Sequence, residues 1–144
     1  MQMAELHYTI PPKYDPADLA ARAEELLESG IETLVPDLSS GTFLLTHKKH
    51  SVQLEEGAVA PQIAILSTDK ETDPAQYAAT IQQSWACNDA AARIESSKRS
   101  LLITEMLAGG LEPVDRIRLF HGVLQALVEI TQPNAIVFLS LIHI

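Results

Sequence analysis

One stretch near the end of the sequence constrains the fold more than any other. It begins at Ser97 with an apolar run, continues through a pair of glycines into a long helical pattern, and closes with a second apolar run. A strand, a helix and a strand in that order form a crossover unit, which joins two parallel strands and is right-handed in nearly all known cases. The sequence therefore predicts that Ala135 to Phe138 pairs parallel to Ser100 to Leu107.

The helix of this unit has clear start and stop signals. Pro113 follows Glu112 at the first helical turn, where the N–H that proline lacks is not needed. Pro133 ends the helix, because the residue before a proline is disfavoured in the helical region. Apolar residues recur at helical spacing and leave a narrow polar stripe: Asp115, Arg118, Gln125 and Glu129. Gly122 lies on this stripe. It is either simply tolerated, which is the interpretation we favour, or required by a close approach of another element or a ligand.

The rest of the chain predicts further strands and shorter helices. Asp15-Pro16 and Asp73-Pro74 are both helix-start signals followed by apolar residues at helical spacing. Residues 31–40 show no clear period and predict a loop. Four more runs are typical of strands, and the second and third of them predict a hairpin: residues 6–10, 42–46, 51–55 and 61–66.

The resulting order of elements is β-α-β-β-β-α-(α)-β-α-β. It predicts an α+β fold, with a single mixed sheet of about six strands and helices packed on it. A chain of 144 residues is long enough for one domain with its own core. We expect residues 1–139 to form that domain, incomplete at its C-terminal end. The last residues resemble translated sequencing-adapter sequence, which predicts that residues 140–144 are a non-native or unstructured tail with few core contacts.

Composition bears on partners and location. The net charge of −9 argues against a nucleic-acid partner, because affinity for a phosphate backbone is carried by clustered Lys and Arg. The apolar runs are shorter than the roughly 20 residues of a membrane span, and the sequence does not open with a secretory signal. Cys87 is the single cysteine, so an internal disulfide is excluded and a reducing cytoplasm fits. We therefore expect a soluble, cytoplasmic protein that binds neither nucleic acid nor membrane.

Two residues are weak candidates for a catalytic role. Glu105 interrupts the apolar run of the central strand, so its carboxylate is either exposed at a strand end or buried, with a raised pKa, beside a partner such as Arg99 or Arg118. His121 lies about two turns into the long helix, where an imidazole can act as a general base or can be a partly buried structural group.

The remaining chemistry-bearing residues predict no site. His47 and His50 flank two lysines, whose charge would repel a divalent ion, so we predict a solvated turn rather than a metal site. Cys87 has no Cys or His neighbour at ligand or redox spacing. No short catalytic or phosphate-binding motif occurs in the sequence, and no cofactor is expected.

Four stretches carry a family resemblance: Ser84-Trp85, the run from Ser100 to Leu107, Asp115-Arg-Ile-Arg-Leu-Phe-His121 and Thr131-Gln-Pro-Asn-Ala-Ile136. Through them the chain from Thr42 to Val137 resembles the bacterial domain-of-unknown-function family DUF4261. The residues after Val137 depart from the family's pattern, as an adapter-derived end would. The resemblance implies a bacterial protein and transfers no catalytic residue.

Two functions remain open at this point. The first is a non-enzymatic interaction or accessory module, for example of the immunity type, whose acidic surface meets a basic protein partner. The alternative is a small enzyme with Glu105 and His121 in one pocket beside the central strand. In that case the two side chains lie within direct or water-bridged hydrogen-bonding distance.

Overall fold

A computed structural model of the chain describes residues 1–37, 41–68, 71–84 and 87–139, with the side chains of residues 35–37 excepted. The described strands are β1 (Met3–Tyr8), β2 (Ile31–Asp37), β3 (Thr42–His47), β4 (Val52–Leu54), β5 (Gly57–Val59), β6 (Gln62–Ser67), β7 (Arg99–Met106) and β8 (Ala135–Phe138). The described helices are α1 (Pro16–Leu27), a 3₁₀ helix (Pro74–Tyr77), α2 (Ala78–Gln83), α3 (Ala90–Glu95) and α4 (Pro113–Thr131). The predicted tail, residues 140–144, lies outside the described residues.

Six strands form one sheet in the order β2-β3-β6-β7-β1-β8. The prediction of an α+β fold with about six sheet strands is confirmed. The prediction of mixed pairing is wrong, because every neighbouring pair in this sheet is antiparallel. The predicted hairpin is also wrong: β3 pairs with β2 and β6, whereas β4 pairs with β5 in a separate two-stranded sheet.

The crossover unit at the end of the chain is split by the first strand. β7 and β8 run in the same direction, since each is antiparallel to β1, but β1 lies between them. Leu6 is opposite Leu101 on one side and Ile136 on the other. The predicted direct pairing of β8 with β7 is therefore wrong. The physical reason is that β1 carries the fully buried side chains of Ala4 and Leu6, which fit a strand inside the sheet better than one at its edge.

Strand β2 occupies a segment for which the sequence predicts a loop. It is an edge strand, pairs with β3, and has an irregular register between Leu34 and Asp37. Pro36 lies within it, and proline is tolerated at sheet edges because its missing N–H breaks no ladder bond there. An edge strand with one bulge and one proline lacks the alternation by which strands are found in a sequence.

Helices α1 and α4 cover one face of the sheet and build the core with it. Asp15 caps α1, its side chain accepting a hydrogen bond from the Ala17 N–H at 2.9 Å. The fully buried apolar side chains come from both layers: Leu6, Leu19, Leu45, Ile65, Ile103, Val123 and Leu127. The predicted start and end of α4 are confirmed, with Pro113 at its first turn and Gln132 as its C-terminal cap.

Gly122 is where α4 approaches α1 most closely. A Cβ at this position would lie 2.6 Å from Leu27 Cγ, closer than two carbon atoms can pack. The Arg118 guanidinium donates a hydrogen bond to the Leu27 carbonyl at 2.9 Å and so satisfies one of the free carbonyls at the end of α1. The simpler interpretation of Gly122, plain tolerance, is wrong. The glycine is required by the contact between the two helices.

Candidate functional site

Glu105 is buried in the helix-covered face of the sheet and is fully engaged. It lies on β7, 3% exposed, and Arg116 on α4 reaches it with two guanidinium nitrogens, Nε at 2.7 Å and Nη2. Gln2 donates from its backbone N–H at 2.8 Å and from its side-chain amide at 3.0 Å. Of the two environments left open by the sequence, the structure has the buried one. Its partner is Arg116 rather than Arg99 or Arg118. The raised pKa expected for the buried carboxylate is wrong, because these hydrogen bonds lower it.

These contacts keep the Glu105 carboxylate charged. Burial alone would raise the pKa of Glu105, but the hydrogen bonds from Arg116 and Gln2 outweigh it, and the pKa is lowered. A carboxylate with a lowered pKa and four donated hydrogen bonds is a structural anion that orients its partners. It is a poor general acid or base, because a proton on it would displace the guanidinium.

His121 lies one turn beyond Arg116 on α4 but is exposed. Its ring stacks on Phe138 of β8, with the ring centroids 6.0 Å apart and an angle of 26° between the planes, and packs edge-on against Phe120. No hydrogen bond joins His121 to Glu105 among the described residues. The structure thus places one of the two candidates inside the protein and the other on its surface.

A groove lies between α4 and β8, on the surface above the Glu105 ion pair. We call it the α4–β8 groove. It has a volume of about 620 Å³. Its walls include Met1, Arg116, Ile117, Phe120, His121 and Phe138. Most of this lining is apolar, and Gln2, Arg116 and His121 contribute its polar side chains. The enzyme hypothesis stays a prediction: His121 reaches the groove, whereas Glu105 lies beneath Arg116 and does not line it.

The outer side of this groove is a sheet edge that no other described strand covers, and it has exposed apolar side chains. β8 is the last strand of the described sheet and pairs only with β1. Phe138 is 56% exposed and Ile117 is 54% exposed, although helical spacing assigns Ile117 to the apolar face of α4. Val114, on the same helix, is 76% exposed. Contiguous exposed apolar groups of this kind mark interaction surfaces.

The opposite face of the sheet carries a polar cluster that the sequence did not reveal. His7 on β1 is fully buried, with Nε2 3.0 Å from Glu5 Oε2 and Nδ1 3.3 Å from Thr72 Oγ1. The Tyr77 hydroxyl also donates to Glu5. The hydrogen bond from His7 is the main cause that lowers the pKa of Glu5, and burial raises that of Tyr77. Alternation along β1 predicts that His7 faces water; the segment that contains Thr72 and Tyr77 covers it instead.

His47 is likewise buried rather than solvated. Its side chain has no exposed area, and its Nδ1 lies 2.7 Å from Ser29 Oγ. The prediction of a solvated hairpin tip is therefore wrong for His47. The reason is that the segment from His47 to His50 does not close a hairpin between β3 and β4 but folds against the end of α1.

The described residues show neither a membrane-spanning helix nor a metal-binding cluster of three or more side chains, and the comparisons with known proteins found no match. In the part of the chain that the structure describes, no helix is long and apolar enough to cross a membrane, and no group of three or more His, Cys, Asp or Glu side chains is arranged to hold a metal. The resemblance to DUF4261 stays a prediction. Searches with the whole chain against protein-family models, curated proteins and solved structures found no match.

Proposed function

We propose that the protein is a non-enzymatic interaction module that binds an extended, basic segment of a protein partner along β8. The observation that supports this most is a strand edge left unpaired among the described residues, with the α4–β8 groove beside it. An extended peptide can add a strand to such an edge, where its backbone supplies affinity and alternate side chains enter neighbouring pockets.

The apolar part of the proposed contact comes from both walls of the groove. Phe138 stacks on His121, a contact that restricts the motion of the aromatic ring at this edge. Ile117 lies across the groove from it. Aromatic side chains that are already ordered contribute strongly to binding, because little conformational entropy is lost when a partner covers them.

Charge supports a basic partner. The net charge of −9 attracts a cationic segment from a distance and raises its association rate, an effect that salt screens. Glu112 and Asp115 at the start of α4 place carboxylates next to Val114 and Ile117. The proposal includes a cytoplasmic location, where the exposed thiol of Cys87 would stay reduced, and an accessory or immunity-type role.

A peptide array tests the proposal. The array holds extended peptides with apolar residues at alternate positions, and the positions between carry Lys/Arg, Ser/Thr or Asp/Glu. We expect the protein to bind the basic members, with affinity that falls as salt rises, and we expect Phe138→Ser to weaken this binding at least about tenfold.

The other edge of the sheet offers a matched control. Leu34 on β2 is 52% exposed, close to the exposure of Phe138, so Leu34→Ser removes a similar apolar side chain from the opposite edge. It should leave peptide binding unchanged. Equal losses in the two variants, or equal binding of acidic and basic peptides, would contradict the proposal.

A further inference from the structure

The turn that follows β3 is fixed against the end of α1. The N–H groups of Lys48 and Lys49 donate to the carbonyls of Gly30 and Ser29, at 3.0 and 2.9 Å, and the His50 N–H donates to the His47 carbonyl at 3.2 Å. Backbone hydrogen bonds therefore hold His47 and His50, three residues apart, in one turn.

Each of these histidines has a buried ring nitrogen without a hydrogen-bonding partner among the described residues. His47 Nε2 and His50 Nδ1 are inaccessible to solvent and have no hydrogen-bonding partner among the residues that the structure describes. A buried polar atom without a partner costs about 1–3 kcal/mol, so native proteins rarely retain one without a ligand, an ion or a water at that place. Two such atoms in one turn indicate that something binds there.

The other ring nitrogen of His47 is already fixed. Its Nδ1 lies 2.7 Å from Ser29 Oγ, and when Nδ1 carries the proton and donates it, Nε2 presents a lone pair. Metal-binding histidines nearly always have their second nitrogen held in this way.

The surrounding charges do not oppose a cation as strongly as the sequence suggests. Lys48 forms an ion pair with Glu32, which neutralises one of the two lysines between the histidines. Glu24 accepts hydrogen bonds from the N–H groups of Gly30 and Ile31, at 3.3 and 2.8 Å, so its negative charge is held next to the turn. That charge acts on His47 and is itself stabilised by Lys49.

We propose that His47 Nε2 and His50 Nδ1 bind a transition-metal ion of the kind that favours imidazole, such as Zn²⁺. His50 follows His47 in the same hydrogen-bonded turn and is half-buried, so the ion would lie at the margin of the protein. Water or a small anion fills the remaining positions of the ion, since tetrahedral zinc takes four ligands. This site is separate from the α4–β8 groove and does not depend on the proposed function.

Zinc titration of the full chain tests the site. At pH 7.5 we expect Zn²⁺ to raise the melting temperature and Mg²⁺, which prefers oxygen ligands, to leave it unchanged. We expect the imidazole resonances of two histidines to shift in nitrogen-detected spectra as Zn²⁺ is added, while those of the remaining histidines do not. Ser29→Ala should weaken zinc binding about 10- to 100-fold by releasing the His47 ring.

Variants assign the ligands. His50→Gln should weaken zinc binding more than Ser29→Ala does, and because His50 is half-buried this variant is expected to fold. His121→Gln is the matched control, an exposed histidine elsewhere, and it should bind zinc as the parent does. The proposal is wrong if zinc leaves the resonances of the parent protein unchanged, or if His50→Gln binds zinc with unaltered affinity. If His47→Gln fails to fold, the spectra of the parent protein still decide the question.

Discussion

Replacing Gly122 by alanine tests the contact between the two core helices. Gly→Ala in a helix normally stabilises by about 1 kcal/mol, because alanine has the higher helix propensity. Here the added methyl group would lie 2.6 Å from Leu27 Cγ, and Leu27 is buried, so it cannot move into solvent. Overpacking of this kind costs about 1–3 kcal/mol. We expect a net loss of about 1 kcal/mol for Gly122→Ala.

The same substitution should stabilise a protein that lacks Leu27. Leu27→Ala by itself costs about 2–5 kcal/mol through lost burial and a cavity. In that background the new methyl group meets empty space, and Gly122→Ala should contribute its propensity gain of about 1 kcal/mol. The two substitutions are therefore coupled by about 2 kcal/mol, with the sign that indicates relief of a clash.

Urea unfolding followed by circular dichroism measures the free energy of unfolding of the four proteins in this cycle, and thermal unfolding gives an independent check. Each kcal/mol corresponds to a shift of about 2–4 °C in melting temperature for a domain of this size. Gly109→Ala is the control, since a Cβ at Gly109 meets nothing within 4 Å and the substitution should be neutral or slightly stabilising. The reasoning is refuted if Gly122→Ala stabilises the parent protein as much as it stabilises the Leu27→Ala variant.

Three further predictions concern buried polar groups. Arg116→Ala should cost about 3 kcal/mol in thermal or urea unfolding, because it leaves Glu105 buried without its cation, whereas Arg99→Ala should change stability little. The pKa of Glu105 is lower in the folded protein, so its stabilising effect is present above the ordinary pKa and is lost as pH falls through the folded value. In acid titrations, Glu105→Gln should therefore lose less stability below about pH 4.5 than the parent protein does. Tyr8→Phe should cost about 1 kcal/mol in urea unfolding, because it removes the 2.7 Å hydrogen bond to Thr131; an unchanged midpoint would contradict this.

The elements that the sequence predicted well are those whose signals are local. The boundaries of α4 follow from two prolines and an apolar period, and β7 follows from its apolar run. The α+β class follows from the order of these elements. Strand pairing is different, because any two apolar strands can pair, and the choice of β1 as the neighbour of both β7 and β8 depends on contacts between residues far apart in sequence.

The surroundings of the candidate site were less predictable, because they too depend on contacts between elements far apart in the sequence. Arg116 and Arg118 are both near enough in sequence to reach Glu105, and helix docking decides between them. With Gly122 against Leu27, α4 turns Arg116 toward β7 and Arg118 toward the end of α1. The burial of His47 likewise depends on how the turn after β3 meets α1. None of these contacts leaves a pattern in the local sequence.

The position of β1 in the sheet has a consequence for how the chain folds. Met3 is paired with Thr104, and Leu6 with Ile136, so β1 has no sheet neighbour until β7, far along the chain, has been synthesised. The antiparallel group β2, β3 and β6 can assemble earlier from shorter separations. Pairing between distant segments slows folding, because the entropy of closing a long loop is lost before the contacts are gained. During synthesis, Ala4 and Leu6 remain exposed until β7 has left the ribosome, which makes β1 a segment that needs protection from aggregation.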